Sequence, residues 1–454
     1  MAKYVHHFTN VSNYNTMRNG SEYIEPWVSL TDGRGLDYNK EHDYYRDYLT
    51  FEIVQAGTWG IICSGSNNLK TISYRLNGGS WQEMTSSTSG TTINVSLGDE
   101  IEVKGVNNQY SNSSQYNYFY GDSHYNVKGN IMSLLYGDDF IGNNTIPESN
   151  AFEYLFKSTN ITDASDLILP ATTLKTKCYQ YMFNGSTLVN SPLYLPAKTL
   201  STYCYAYMFY DCINLTSTPE LPAVTMKNYC YGNMFRGCTS LTTAPELPAT
   251  TLADYCYWYM FQGCTSLTTT PELPVETLTD YCYANMFQGC TSLTETPILS
   301  STKLANYCYS NMFSGCTNLT TVQATLPATS LRGGCYYGMF QGCSKLTTAP
   351  TLPATTLAVS CYGYMFKGCS NLTTAPILPA TTLVSRCYER LFDSCVKLKY
   401  IKCLATDISA SMCTYYWVTG IAASGTFEKN SSMSSWTTGI SGIPSGWTQQ
   451  NASE

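Results

Sequence analysis

Apolar residues in this chain fall in pairs. In YCYWYMFQGCTSLTTTPELP, Cys256 and Tyr257, then Met260 and Phe261, then Cys264 alternate with the more polar pairs Trp258–Tyr259 and Gln262–Gly263, and Leu267 and Leu273 follow. Placed at 100° per residue, the five apolar positions share an arc of ~140°, which predicts a short amphipathic helix. Thr251 with Asp254 three residues on has the form of a helix start, and Gly263 suits a left-handed C-cap. The following LTTTPELP is too short and too rich in turn residues for a second helix, so it predicts a brief strand and a turn.

The pattern recurs with a fixed period. Its first cysteine returns at Cys178, Cys204, Cys230, Cys256, Cys282, Cys308, Cys335, Cys361 and Cys387, in steps of 26 residues with a single step of 27. A phenylalanine follows five residues later in every copy, from Phe183 to Phe392. Ala151 opens a degenerate first copy and Cys413 follows the last one, as expected of atypical ends that close an open core. The prediction is an α/β solenoid over residues 151–413, each coil a short strand plus a short helix, with a parallel sheet on one face. Ten coils at ~4.8 Å each make a rod on the order of 50 Å long.

The line MFxGCxxLT, preceded by a Cys-Tyr segment and followed by short Leu/Pro stretches, resembles the BspA-like leucine-rich repeats of Bacteroides-type surface proteins and of some phage proteins. That resemblance implies a solenoid and a binding role. The Pro pair in each unit and the 26-residue period depart from the commoner, shorter repeat.

Other segments read differently. Residues 48–106 hold the strand-like runs YLTFEIV, TWGIICS, TISYRLNGGSWQEM, TTINVSL and DEIEVKG, with Asn77-Gly78-Gly79 as a hairpin turn, and predict a small all-β sandwich. Residues 107–150 read as a Tyr/Asn-rich connector and solenoid cap, and residues 414–454 as a C-terminal cap holding Trp436 and Trp447. Residues 1–47 read as an extended arm that a partner orders, with Trp27, Tyr23 and Tyr38 as its anchoring residues. There the line EPWVSLTxGxGLDYNK, followed by LTFEIV, resembles the N-terminal parts of virion proteins from phages of gut Bacteroidetes.

Composition narrows the classes of function. Charged residues make up only 13% of the chain, Tyr numbers 39, and 25 Lys plus Arg with a net charge of −7 argue against a nucleic-acid partner, which needs clustered cations. No apolar run approaches a membrane span and the N-terminus lacks a secretory h-region, so the expectation is a soluble chain without membrane insertion. The paired cysteines, eight residues apart, would lie ~12 Å apart on a helix, beyond disulfide reach. His6, His7, His42 and His124 all precede the repeats and no CxxC occurs, so neither metal nor cofactor is expected. The expectation is free, buried thiols that serve as small core residues, with disulfides between stacked cysteines of adjacent coils as the alternative.

Catalysis would have to use carboxylates. Glu220, Glu246 and Glu272 form a column, but acids in nearly identical environments are not driven to different pKa values, so no enzyme is expected. A calcium site using these acids with Asp254 and Asp280 stands against the plainer reading of a solvated acidic stripe. Binding fits better, because Tyr gives large contact area at low entropic cost. The candidate binding residues are Tyr203, Tyr229, Tyr255, Tyr281 and Tyr307 in one column, with Tyr207, Trp258, Tyr259, Tyr337 and Tyr364 beside it; the plainer reading is that these rings pack on their neighbours. The functional expectation is a non-enzymatic phage-virion fibre or receptor-binding component. Residues 1–47 would join other virion proteins, the solenoid would meet a host surface glycan or protein, and a homo-oligomer is possible. The alternative is a bacterial cell-surface adhesin.

Overall fold

The computed structural model describes residues 45–112, 114–433 and 436–452. The anchoring residues Trp27, Tyr23 and Tyr38 lie outside them. Strands β1 (Leu49–Gln55), β2 (Gly57–Cys63), β3 (Thr71–Leu76), β4 (Gln82–Thr85), β5 (Thr91–Val95) and β6 (Glu100–Lys104) follow the alternating runs of the sequence. The β3–β4 hairpin turns at Asn77 and Gly78, with φ of +50° and +70°, the left-handed pair that an Asn-Gly turn supplies.

The sandwich does not end at residue 106. Strands β7 (Asn117–Tyr120) and β8 (His124–Asn130) come from the segment read as connector, and pair with β2 and β1 through Ile61↔Phe119 and Phe51↔Val127. One sheet runs β4-β3-β6-β1-β8-β9 and the other β5-β2-β7, where β9 (Leu167–Ile168) already belongs to the solenoid. Phe119, Tyr125 and Val127 are buried at period two between polar residues, a pattern that the Tyr/Asn-rich composition masks. Phe51 packs edge-on against Trp59, Phe119 and Tyr125 at 4.5–5.1 Å.

This sandwich closes the start of the solenoid. The N–H of Tyr110 donates to Ala151 O, Ser111 Oγ to Glu153 O, and the N–H of Phe119 to Leu155 O, at 2.7–2.9 Å. Phe119 also stacks on Phe156 at 5.4 Å, so the two cores are continuous. The short helix α1 (Ser133–Tyr136) completes the junction.

The coils themselves hold no α-helix, which corrects the expected strand-plus-helix unit. The segment 255–264 is instead a turn ribbon. The N–H groups of Tyr255, Tyr257, Tyr259, Phe261 and Gly263 donate to carbonyls of the next coil, Asp280, Cys282, Ala284, Met286 and Gln288, at 2.9–3.1 Å. Between them, Trp258, Met260, Gln262 and Cys264 donate three residues back at 3.1–3.2 Å. Every fourth residue is left-handed, with φ +60° at Tyr255, +56° at Tyr259 and +73° at Gly263. A period of four buries the same apolar pairs that a period of 3.6 would over so short a stretch, so hydrophobicity alone does not separate the two. The expected facing holds: Cys256, Tyr257, Met260, Phe261 and Cys264 are buried, while Trp258 and Gln262 are half-buried.

Nor do the coils share a continuous parallel sheet. Between ribbons, described residues make only isolated parallel bridges, among them Thr199↔Thr225, Thr225↔Thr251 and Thr277↔Lys303. Prolines such as Pro271 and Pro274 remove the N–H groups that a ladder would need. True parallel pairing returns where the last coil meets the C-terminal cap, with β10 (Tyr400–Cys403), β11 (Thr426–Lys429) and β12 (Thr448–Asn451) in order. There Trp417 is fully buried, donates from Nε1 to Gly442 O at 2.8 Å, and stacks on Trp436.

The outer and inner tyrosine columns stack at different spacings. Tyrosines pointing out from the ribbon, Tyr203 to Tyr307, stack at 4.5–4.9 Å, whereas those pointing inward, Tyr205 to Tyr309, are 5.7–5.9 Å apart.

Candidate functional site

All ten predicted binding residues lie on or beside this ribbon, and all are half-buried. Tyr203, Tyr229, Tyr255, Tyr281 and Tyr307 form one continuous parallel stack with interplanar angles of 6–9°. Their faces are covered by each other. Beyond Tyr307 the column continues with Gly334, whose own backbone leaves 2.3 Å between an added Cβ and the Tyr307 ring. What the stack offers outward is a row of ring edges and hydroxyls. Each non-glycine left-handed residue costs roughly 1–2 kcal/mol, and an aromatic stack returns ~0.5–1.5 kcal/mol. Packing on neighbours thus offsets part of the left-handed cost in this column.

Trp258 and Tyr259 are placed differently. Trp258 stands edge-on to Tyr255 and Tyr229 at 5.9 and 6.0 Å, and to Tyr259 at 4.5 Å. Tyr207 stacks on Tyr181 at 4.4 Å, and Tyr337 meets Tyr364 at 5.1 Å and 42°, away from the main stack.

Next to Tyr259 the ribbon carries a groove of about 490 Å³, lined by Tyr210, Asp211, Arg236, Gly237, Gln262, Gly263, Gln288, Gly289, Ser314 and Gly315. Its floor is the third left-handed column, where glycine avoids both the backbone cost and a side chain that would fill the space. The Arg236 guanidinium lies 5.4 Å from the Tyr210 ring and 5.3 Å from the Tyr259 ring. Gln262 Nε2 donates to Gln288 Oε1 at 2.7 Å, while Gln262 Oε1 is buried without a hydrogen-bond partner. These groove residues were not singled out from the sequence. Gln262 sits six residues after the first cysteine, a position the pattern already turned outward, but its neighbours in the column, Tyr210, Arg236, Gln288 and Ser314, differ in kind and give no shared chemical signal.

The cysteines have a different role. All 20 are free, and each is buried. In the second column the thiols of Cys212, Cys238, Cys264, Cys290, Cys316, Cys343, Cys369 and Cys395 donate to phenylalanine carbonyls one coil back at 3.0–3.2 Å. Burial pushes their pKa values up, to about 12 at Cys264, so they stay protonated. In the copy that opens at Cys178, Ser186 replaces the second cysteine, and its Oγ lies 3.5 Å from Cys212 Sγ.

Of the acid column, Glu246 and Glu272 are exposed and Glu220 is half-buried. The described residues contain no group of three or more His, Cys, Asp and Glu able to hold a metal ion. No helix among them is long and apolar enough to cross a membrane.

A stack of 26-residue coils that places variable side chains along one ribbon, over a core repeated coil by coil, is a leucine-rich-repeat solenoid of the binding kind. The family model for the BspA type leucine rich repeat region matches residues 148–286, 202–347 and 336–429 in six copies, and the chain belongs to this family. No curated protein matches the chain. Repeats of this type are typically binding modules.

Proposed function

We propose that this is a non-enzymatic, adhesin-like protein that binds a surface glycan in the groove between Tyr210 and Ser314. The observation that carries the reading is the groove itself: a glycine floor leaves room for an extended chain, and planar groups suited to sugar rings and hydroxyls, Tyr210, Arg236, Gln262 and Gln288, stand along it. The carrier is a phage particle, which the solenoid equips as a fibre or receptor-binding component, with residues 1–47 joining other virion proteins. The similarity of EPWVSLTxGxGLDYNK to virion proteins supports that carrier. A bacterial cell-surface adhesin is favoured instead by the repeat family.

The test pairs two changes. Arg236→Ala with Gln288→Ala should abolish binding to host-cell glycan and leave particle incorporation intact. Deletion of residues 1–47 should abolish incorporation while the solenoid stays folded and still binds glycan. Unchanged glycan binding by the groove variant rejects the groove. Binding that survives glycan removal from the cells identifies a protein receptor. Detection of the native chain on bacterial envelopes and not on particles establishes the cell-surface alternative.

A further inference from the structure

The glycine floor runs further than the groove it underlies. Gly237, Gly263, Gly289, Gly315, Gly342 and Gly368 stand one per coil, with φ between +73° and +78°. A Cβ added at any of the last five would meet only the backbone of the preceding glycine, at 3.6 Å or more. Five coil steps at ~4.8 Å make an open strip on the order of 24 Å long. Acids bound it at both ends. Asp211 Oδ1 lies 2.1 Å from where a Cβ on Gly237 would be, and Asp393 pairs with Arg390 and Lys367 at 2.9 and 3.6 Å.

Between those ends the sequence beside the strip carries one sign of charge. The residue before each glycine is Arg236, Gln262, Gln288, Ser314, Gln341 and Lys367 in turn: two cations, three amides and a hydroxyl. Past the glycine and its buried cysteine, every coil continues with two residues drawn from Thr, Ser, Asn and Lys, among them the exposed Lys345. These six runs, from RGCTS to KGCSN, hold three cations and no carboxylate, although residues 203–331 as a whole hold three Lys and Arg against eight Asp and Glu. Apart from Asp211 at the boundary, the acids of the middle coils all stand elsewhere in the repeat. Arg236 enters no ion pair among the described residues, so its charge faces the groove uncompensated. A cleft lined by one sign of charge draws ligands of the other.

We propose that the groove takes an acidic glycan, an extended polysaccharide whose sugars carry carboxylate or sulfate groups. The inference rests on the glycan reading above and narrows it. Arg236 pairs with an acidic group near one end of the strip and Lys367 with another near the far end, while the amides of Gln262, Gln288 and Gln341 between them meet uncharged hydroxyls. Asp211 and Asp393 repel an anion beyond either end, which sets where the ligand chain lies. Nucleic acid, the other extended polyanion, would need free aromatic faces for its bases, and the tyrosine faces of the main stack cover each other.

Binding of the full chain to an oligosaccharide array tests this, with carboxylate- and sulfate-bearing probes set beside their carboxyl-reduced and desulfated forms. The native chain should bind the acidic forms at least about tenfold more tightly, and the preference should shrink in ~1 M salt, where the Debye length is ~3 Å. Arg236→Gln should lower affinity for the acidic forms about tenfold and leave the neutral forms unchanged, and Asp211→Asn should raise affinity for the acidic forms. Equal or tighter binding of the neutral forms, lost in Arg236→Ala with Gln288→Ala, overturns the acidic preference and keeps the groove as a glycan site. An acidic preference that both single variants leave unchanged puts the anion elsewhere and overturns the proposal. So does tighter binding of single-stranded DNA than of any glycan. Binding to no member of the array rejects the glycan reading and this inference with it.

Discussion

The thiol of Cys264 donates to the main-chain carbonyl of Phe235, one coil back, at 3.0 Å. The same bond recurs from Cys238 to Phe209 and from Cys290 to Phe261. A cysteine engaged in this way is neither half of a disulfide nor a metal ligand. Thiol titration of the denatured, unreduced protein should find nearly all 20 cysteines reactive, and the folded protein should expose almost none. Fewer than half reacting after denaturation would establish disulfides. Cys264→Ala, which loses the donor and leaves a small cavity, should cost about 1–2 kcal/mol in a denaturant melt, and Cys264→Ser, which keeps a donor, should cost less.

Phe261 is fully buried and stacks on Phe235 and Phe287 at 5.6 Å. Phe261→Ala should therefore cost ~3–5 kcal/mol, as for a large core truncation. Trp258 is half-buried at the rim, and Trp258→Ala should cost far less. Equal losses in urea melts would contradict the facing of the ribbon.

Gly263 tests the backbone apart from packing. An added Cβ there meets no atom closer than 3.9 Å, yet φ is +73°. Gly263→Ala should cost about 1–2 kcal/mol from left-handed strain alone, without repacking. A neutral substitution in a thermal melt would mean that the ribbon can change its turn there.

Alkaline pH should unfold the solenoid. Burial raises the Cys264 thiol from 9.0 to about 12, and pushes the Tyr257 phenol well above its ordinary 10.0. For groups raised in this direction the stabilisation is fully present below the unfolded value and is lost as pH climbs through the folded one. Melting temperature under reducing conditions should be flat just below pH 9 and fall steeply between pH 9 and 12. A flat profile across that window would mean that the thiols and phenols are not held neutral by the core.

The period, the buried face and the free thiols were legible in the sequence, because each depends on which side chains recur. The backbone that carries them was not. Cys256, Tyr257, Met260, Phe261 and Cys264 fit a helix and the turn ribbon equally, and the discriminating signal lies elsewhere, in the left-handed series Tyr255, Tyr259 and Gly263. In neighbouring coils that series includes Asn233, Asn285, Asn311 and Gly338, residue types that tolerate positive φ. Glycine spaced at one position per coil looked like a helix end, although it also floors the groove. Strands β7 and β8 were hidden by tyrosines and asparagines that alternate in burial but not in obvious polarity.

In the ribbon every main-chain bond between coils points the same way, from an N–H in one coil to a carbonyl in the next. Strand pairing in a sheet alternates direction and its peptide dipoles largely cancel; here they add along the rod, as they do along a helix. The N-terminal end is thus the carbonyl end and the C-terminal end the N–H end, which is why the first coil receives donors from Tyr110 and Phe119, while the last meets acceptors, Ile440 O for the N–H of Val418 and Ser441 Oγ for that of Tyr416. Neither cap could serve at the other end. Coils can be inserted or removed between them without altering that chemistry, and each added coil lengthens a built-in field that is positive toward the C-terminal end.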